Sequence, residues 1–302
     1  MDFEVMAEGL KFPEGPVAFP DGSVVLVELR RGTLTRCWGA GRTEVIAELG
    51  GGPNGAALGP DGAIWVTNNG GMSALPGPDG RWLPPDYDGG RIERVELATG
   101  KFERVFTHCG GRPLKGPNDL VFDRTGGFWF TDFGKMRARD RDFSSLHYVG
   151  ADRDGVLMVH DRVLSYNGVG LSPDETVAYT ADTFSARVWA YDLDGPGQAR
   201  PREGASGPAR FLSGLPTNSR YDSLAVTEAG NVCVATLDTG GITTVTPAGE
   251  TSFIPFPDPS VTNICFGGPD RRTAFITLSA TGRLIRVRNW PEPGLALNFS
   301  QY

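Results

Sequence analysis

Short apolar runs recur along the whole chain, each opened by a polar side chain and followed by a tight turn and a second run rich in aromatic and β-branched residues. Residues 116–134 show the unit most plainly. Gly116-Pro-Asn118-Asp-Leu-Val-Phe leads into an Asp-Arg-Thr-Gly-Gly turn, and Phe-Trp-Phe-Thr-Asp132 follows. Such runs around a glycine turn predict a β-hairpin. With Asn118 as the zero of a frame and Gly126 eight places on, the pattern returns at 14–28, 54–68, 167–182, 222–236 and 263–277. Six copies of one hairpin predict a repeat array.

Further strand-like runs follow most hairpins, at 33–38 and 43–48, at 92–97 and 102–106, and at 186–192 and 209–212. This gives four strands per repeat and an all-β chain with little helix. The last repeat has only one clear further strand, at 283–288, and is incomplete unless the N-terminal strand expected at 3–10 joins it. Sharing a blade between the two ends would close a six-bladed β-propeller and remove its sheet edges. The expected organisation is one domain over 1–302. Two longer segments, 70–90 and 135–149, interrupt the second and third repeats, and loops of that length are usually functional. Their apolar residues, Met72, Leu75, Trp82, Leu83, Tyr87, Met136 and Phe143, suggest a cover over the site.

Composition narrows the function classes. A formal net charge of -7 with scattered Lys and Arg speaks against nucleic-acid binding. The chain has no apolar run long enough to span a membrane, and the Met-Asp-Phe-Glu-Val start lacks a signal pattern. A cytoplasmic protein, monomeric or a small homo-oligomer, is expected. Cys37, Cys109, Cys233 and Cys265 are widely spaced and read as reduced core residues. His108, His147 and His160 share no spacing, although His147 in the second insertion is placed to approach the site.

The zero position carries the chemistry. It holds Glu14, Asn54, Asn118, Asn167, Asp222 and Asn263, all carboxylates or carboxamides. Asn and Asp also cap turns, but that role admits Ser, Thr and Gly, none of which occurs in the six. In a propeller the first strand of each blade lines the central channel, so these side chains should converge. Close carboxylates repel unless a cation lies between them. Glu14 and Asp222 would balance a divalent ion, with amide oxygens completing an all-oxygen set that suits Ca²⁺, with Mg²⁺ or Mn²⁺ possible and Zn²⁺ less natural. At the ends of the second strands lie Glu28, Asn68, Asn69, Asp132, Asp182, Thr236 and Thr277. Asp132 and Asp182 are candidates to orient the ligands from behind.

These residues resemble the SMP-30/gluconolactonase/LRE family, the regucalcin-like six-bladed propellers. The anchors are Glu14-Gly-Pro-Val17, Gly116-Pro-Asn-Asp119, Asn167-Gly168 with Asp182, Asp222, and Cys265-Phe-Gly-Gly268. The resemblance implies metal ligands at Glu14, Asn167 and Asp222, with Asn118 contacting the ion's surroundings or the substrate. Asn54 and Asn263, with Asn118, are then left to meet substrate. The implied activity is metal-dependent opening of a lactone, with Asp222 as the expected base. An organophosphate or ester hydrolase on the same site is an alternative. So is a non-hydrolytic propeller, either a calcium-binding interaction protein or a strictosidine-synthase-like enzyme. The animal sugar lactonases carry an arginine where this chain has Gly116, which together with the apolar insertions points to a less polar lactone or ester.

Overall fold

The computed structural model describes residues 1–71, 83–84, 87–216 and 218–301, and among these there is no helix. Six antiparallel sheets are arranged around one axis. Their innermost strands, Pro13–Ala18, Pro53–Leu58, Pro117–Phe122, Tyr166–Leu171, Arg220–Val226 and Val261–Gly267, each neighbour the next, and the last returns to the first. This is a six-bladed β-propeller, as the repeat predicts. The sixth blade is completed by the N-terminal strand Glu4–Ala7, which pairs with Arg283–Val287 through Glu4↔Arg286 and Val5↔Ile285.

Both faces of each blade are buried, so the strands read as nearly unbroken apolar runs. In Val24–Glu28, Val25 and Val27 pack towards the second blade while Val24 and Leu26 pack towards the sixth. In Phe128–Asp132, Phe128 and Phe130 face the second blade and Trp129 the fourth. This is the period-two alternation of a strand, with the core divided into six layers between blades. The four cysteines are free and buried, as expected. Cys37 and Cys265 share the layer between the first and sixth blades.

Some strands differ from the sequence reading. The third blade gains Ser144–Val149 and Val156–Val163, so the last six residues of the expected second insertion are regular strand. Its polar Ser144, Ser145 and His147 disguise a fully buried strand. A short hairpin, His108–Cys109 with Arg112–Pro113, precedes the third blade and was not anticipated. In the fourth blade the outer strand is Ala209–Gly214, and Gln198–Ala199 forms a small addition. Met136 and Phe143 of the second insertion are 43 % and 64 % exposed. Met72, Leu75 and Trp82 lie outside the described residues.

The turn position of the repeat is left-handed in all six blades. Gly22, Gly62, Gly126 and Gly230 occupy it at φ between 75° and 90°, but Glu175 and Arg271 adopt φ of 59° and 54°. Non-glycine residues in this region are strained, and a compensating contact is to be sought. Both grip the C-terminal tail. Glu175 accepts from Asn298 Nδ2 at 2.6 Å, and Arg271 Nε donates to Gly294 O at 2.9 Å. The tail also hydrogen-bonds Val226 and Phe122 backbone oxygens and places Phe299 against Phe122. A cavity of about 260 Å³ lies between the zero-position residues and this tail, walled by Val17, Leu171, Val226 and Phe266 and floored by Leu295 and Leu297.

Candidate active site on the propeller axis

Every inner strand carries an irregular register where the frame's zero falls, at 14–17, 53–55, 117–120, 166–169, 221–224 and 261–263. A bulge frees residues from the ladder and re-aims their side chains. This is why Asn118, Asn167 and Asp222 turn away from the sheet. The residue after the zero is glycine in the first, second and fourth blades. A Cβ on Gly15 would lie 2.6 Å from Ala56 N, one on Gly55 2.6 Å from Asn118 O, and one on Gly168 2.7 Å from Leu224 N. The bulges thus nest backbone to backbone around the axis. Gly55→Ala should push Asn118 out of place and destabilise the fold by about 3 kcal/mol. Urea unfolding of the variant checks this, and a midpoint equal to that of the parent would contradict the close nesting.

Threonines on the second strands of the second and third blades fasten the bulge of the following blade. Thr67 Oγ1 donates to Asn118 O, and Thr131 Oγ1 to Asn167 O. Sequence reasoning passed over both, because a threonine in a strand is ordinary.

All six zero-position residues are buried. Asn263 Nδ2 donates to Glu14 Oε2 at 3.1 Å, and Ser223 Oγ to Asn167 Oδ1 at 3.3 Å. Asn118 Oδ1 is buried without any hydrogen-bond partner. Burial raises the proton affinity of Glu14 well above the ordinary carboxylate range, and the charge of Asp222 raises it further. Burial likewise pushes Asp222 up to about 8, partly offset by a hydrogen bond with Asn167 and reinforced by the charge of Asp119. The weakest influence on Asp222 is that of Arg220, whose guanidinium forks onto Asp238.

Asp119 is the residue the frame missed. It sits one place past the zero, where the first, second and fourth blades have glycine. It is buried and pushed up to about 7 by desolvation, against hydrogen bonds from the Leu120 amide, Ser223 and the Val169 amide. Its charge acts on both Glu14 and Asp222, so three carboxylates converge where two were expected. The signal was present in the sequence as the one acidic residue at a position otherwise occupied by Gly, Ser or Ile.

Asp132 and Asp182 act through the backbone. Asp132 accepts from the Lys115, Gly116 and Gly134 amides at 2.7–2.9 Å. Asp182 accepts from Ser165 N, Ser165 Oγ and Ser185 N. Each therefore fixes the loop entering Asn118 or Asn167 and does not touch the side chain itself. Glu28 and Asn68 do the same for Lys11 and Gly52. His147 stands on the third strand of its blade, paired with Phe130 and Met158, away from the inner strands.

The donor set fits a hard divalent cation. Its atoms are oxygens, one of them an orphaned amide carbonyl, and its buried carboxylates act on one another's charge, which either protons or a cation would relieve. Among the described residues no three His, Cys, Asp or Glu side chains form a metal site by themselves, so a cation bound here would also need the Asn oxygens.

A closed six-bladed propeller with converging buried oxygens on its axis defines the class of this protein. The SMP-30/Gluconolactonase/LRE-like region model matches residues 12–280, and the chain belongs to that family. A gluconolactonase of Zymomonas mobilis is 29 % identical over 94 % of this chain and 80 % of its own. A 6-deoxy-6-sulfogluconolactonase of Pseudomonas putida is 33 % identical over 64 % of each. Among solved structures, the calcium-binding protein regucalcin of Agrobacterium tumefaciens superposes with a TM-score of 0.74 at 19 % identity, covering 98 % of both chains. At that identity the superposition speaks for the fold alone. No helix among the described residues is long and apolar enough to cross a membrane.

Proposed function

We propose that this chain is a metal-dependent hydrolase that opens a lactone ring. The observation that carries the proposal is the convergence of Glu14, Asp119 and Asp222, with a buried, unpartnered Asn118 Oδ1 on the residue next to Asp119. Lactonases among the relatives support the substrate class. Glu14, Asn167 and Asp222, with Asn118, would hold the ion, Ca²⁺ by the hardness of the set. A bound divalent ion supplies Lewis acidity towards a carbonyl oxygen. Asn54 and Asn263 remain to orient substrate, Asn263 being itself anchored on Glu14.

Asp222 takes the proton of the attacking water in this reading, since its surroundings favour the protonated form. Asp119 is already occupied by three donors and acts by position, its charge keeping Asp222 basic. Asp119→Asn should therefore lower kcat about tenfold, leave KM nearly unchanged and move the acid limb of the pH–rate profile to lower pH. An unshifted acid limb would remove this role.

Gly116 bears on substrate polarity. A Cβ there would lie 2.6 Å from Gly134 O, so no side chain fits where the sugar lactonases have an arginine. Metal analysis of the purified protein, followed by lactones, esters and phosphotriesters assayed with and without chelator, tests the whole proposal. Turnover of lactones that survives complete metal removal would overturn it, and turnover of phosphotriesters alone would replace it with the organophosphate reading.

A further inference from the structure

Asn167 sits between two buried hydroxyls that come from different blades. Its Nδ2 donates to Thr183 Oγ1 at 3.2 Å, and Ser223 Oγ donates to its Oδ1 at 3.3 Å. Thr183 and Ser223 are 4 % and 1 % exposed, so bulk water competes little for either bond. Neither hydroxyl belongs to the ring of zero-position residues.

The surrounding backbone places both groups. Thr183 follows the strand Val177–Asp182, its amide donates to Ser165 O at 3.0 Å, and its carbonyl accepts from Ala186 N. Asp182 fixes the same turn through Ser165 and Ser185. Ser223 reaches Asn167 because Gly168 lets the fourth and fifth blades come together. A Cβ on Gly168 would lie 2.9 Å from Ser223 Cα. Ser223 stands one place past the zero, in the column where the first, second and fourth blades have glycine, and it is the only hydroxyl in that column.

A free amide samples several orientations and gives them up when it binds a cation, whereas one already fixed gives up less. Asn118 shows the contrast, with an Oδ1 that has no hydrogen-bond partner. Swinging the Asn167 amide aside would break both of its bonds at once. Its carbonyl oxygen has two lone pairs, so Oδ1 can accept from Ser223 and keep one for an ion. We propose that Thr183 and Ser223 are positioning residues that hold the Asn167 amide ready for a divalent cation. This role rests on the ligand set proposed above and adds to it the ordering of one ligand by two hydroxyls that lie outside the set.

Calcium titrated by calorimetry into the purified, chelated chain tests this, with melting of the chelated proteins as the control for folding. Ser223→Ala and Thr183→Val should each weaken calcium binding several-fold, and the double variant about tenfold or more. Thr183→Ser, which keeps the hydroxyl and drops the methyl, should bind like the parent. A purely structural role would lower the melting temperature and leave calcium affinity unchanged. Unchanged affinity in the folded double variant, or equal losses in Thr183→Ser and Thr183→Val, would overturn the proposal. The expected losses in a chain that opens no lactone would support it and overturn only the lactonase reading. A parent that binds no calcium would remove this role together with the ligand set.

Discussion

Asp222→Asn should reduce kcat about a thousandfold or more, because the substitution removes both a charged ligand and the proton acceptor in one step. The exchange is nearly isosteric and the site is buried, so the fold should persist. Metal content measured alongside turnover separates the two roles. A variant that keeps its ion and loses turnover supports Asp222 as the base. A variant that keeps both would eliminate it as the acceptor and shift attention to the remaining buried carboxylates. Replacement by Ala is less informative, since it also opens space beside Asn167.

The second large effect concerns stability, pH and the ion together. Glu14, Asp119 and Asp222 all have raised proton affinity in the folded chain, with Asp119 at about 7 and Asp222 at about 8. A carboxylate raised in this way binds more protons folded than unfolded. Its contribution is therefore fully present below the unfolded pKa, roughly pH 4, and is lost as pH rises through the folded value. Chelated protein should lose stability, on the order of 3 kcal/mol, between about pH 4 and pH 8. Calcium should restore it, most strongly at the alkaline end, because the ion takes the place of the protons. Glu14→Gln should show opposite signs in two measurements. The chelated variant should melt higher than the parent at pH 8, since one repelling charge is gone, while its response to calcium should be much weaker. Melting curves at several pH values, with and without calcium, check both. An equal calcium response in Glu14→Gln would contradict the proposed ligand set.

The sixfold frame was legible because each repeat marks the same place with a side-chain oxygen, and because its turn needs a left-handed residue. The incomplete last repeat correctly implied a strand shared between the two ends. What escaped reading was set by contacts between blades. Thr67 and Thr131 look like ordinary strand residues, and only the neighbouring bulge gives their hydroxyls a target. Asp119 stands one place past the zero, outside the single column that the frame compares. The strand-end acids Asp132 and Asp182 stand out in the sequence, but the groups they hold are amides of the entering loops, which no pattern of residue types announces. The outer strands of the third blade were hidden because His147 and its serines are polar residues buried in a strand, a combination that hydropathy alone assigns to a loop.

The two chain ends also set an order in time. Glu4–Ala7 pairs with Arg283–Val287, and the left-handed Glu175 and Arg271 add their tail contacts to those with Arg124 and Glu228 only once the tail beyond Pro291 is in place. On a ribosome Glu4–Ala7 must wait, unpaired, until Arg283–Val287 has emerged. Five blades can assemble as they emerge, but the circle and its floor close only when segments from opposite ends of the repeat array meet. That long-range closure, rather than any single blade, should set the pace of folding.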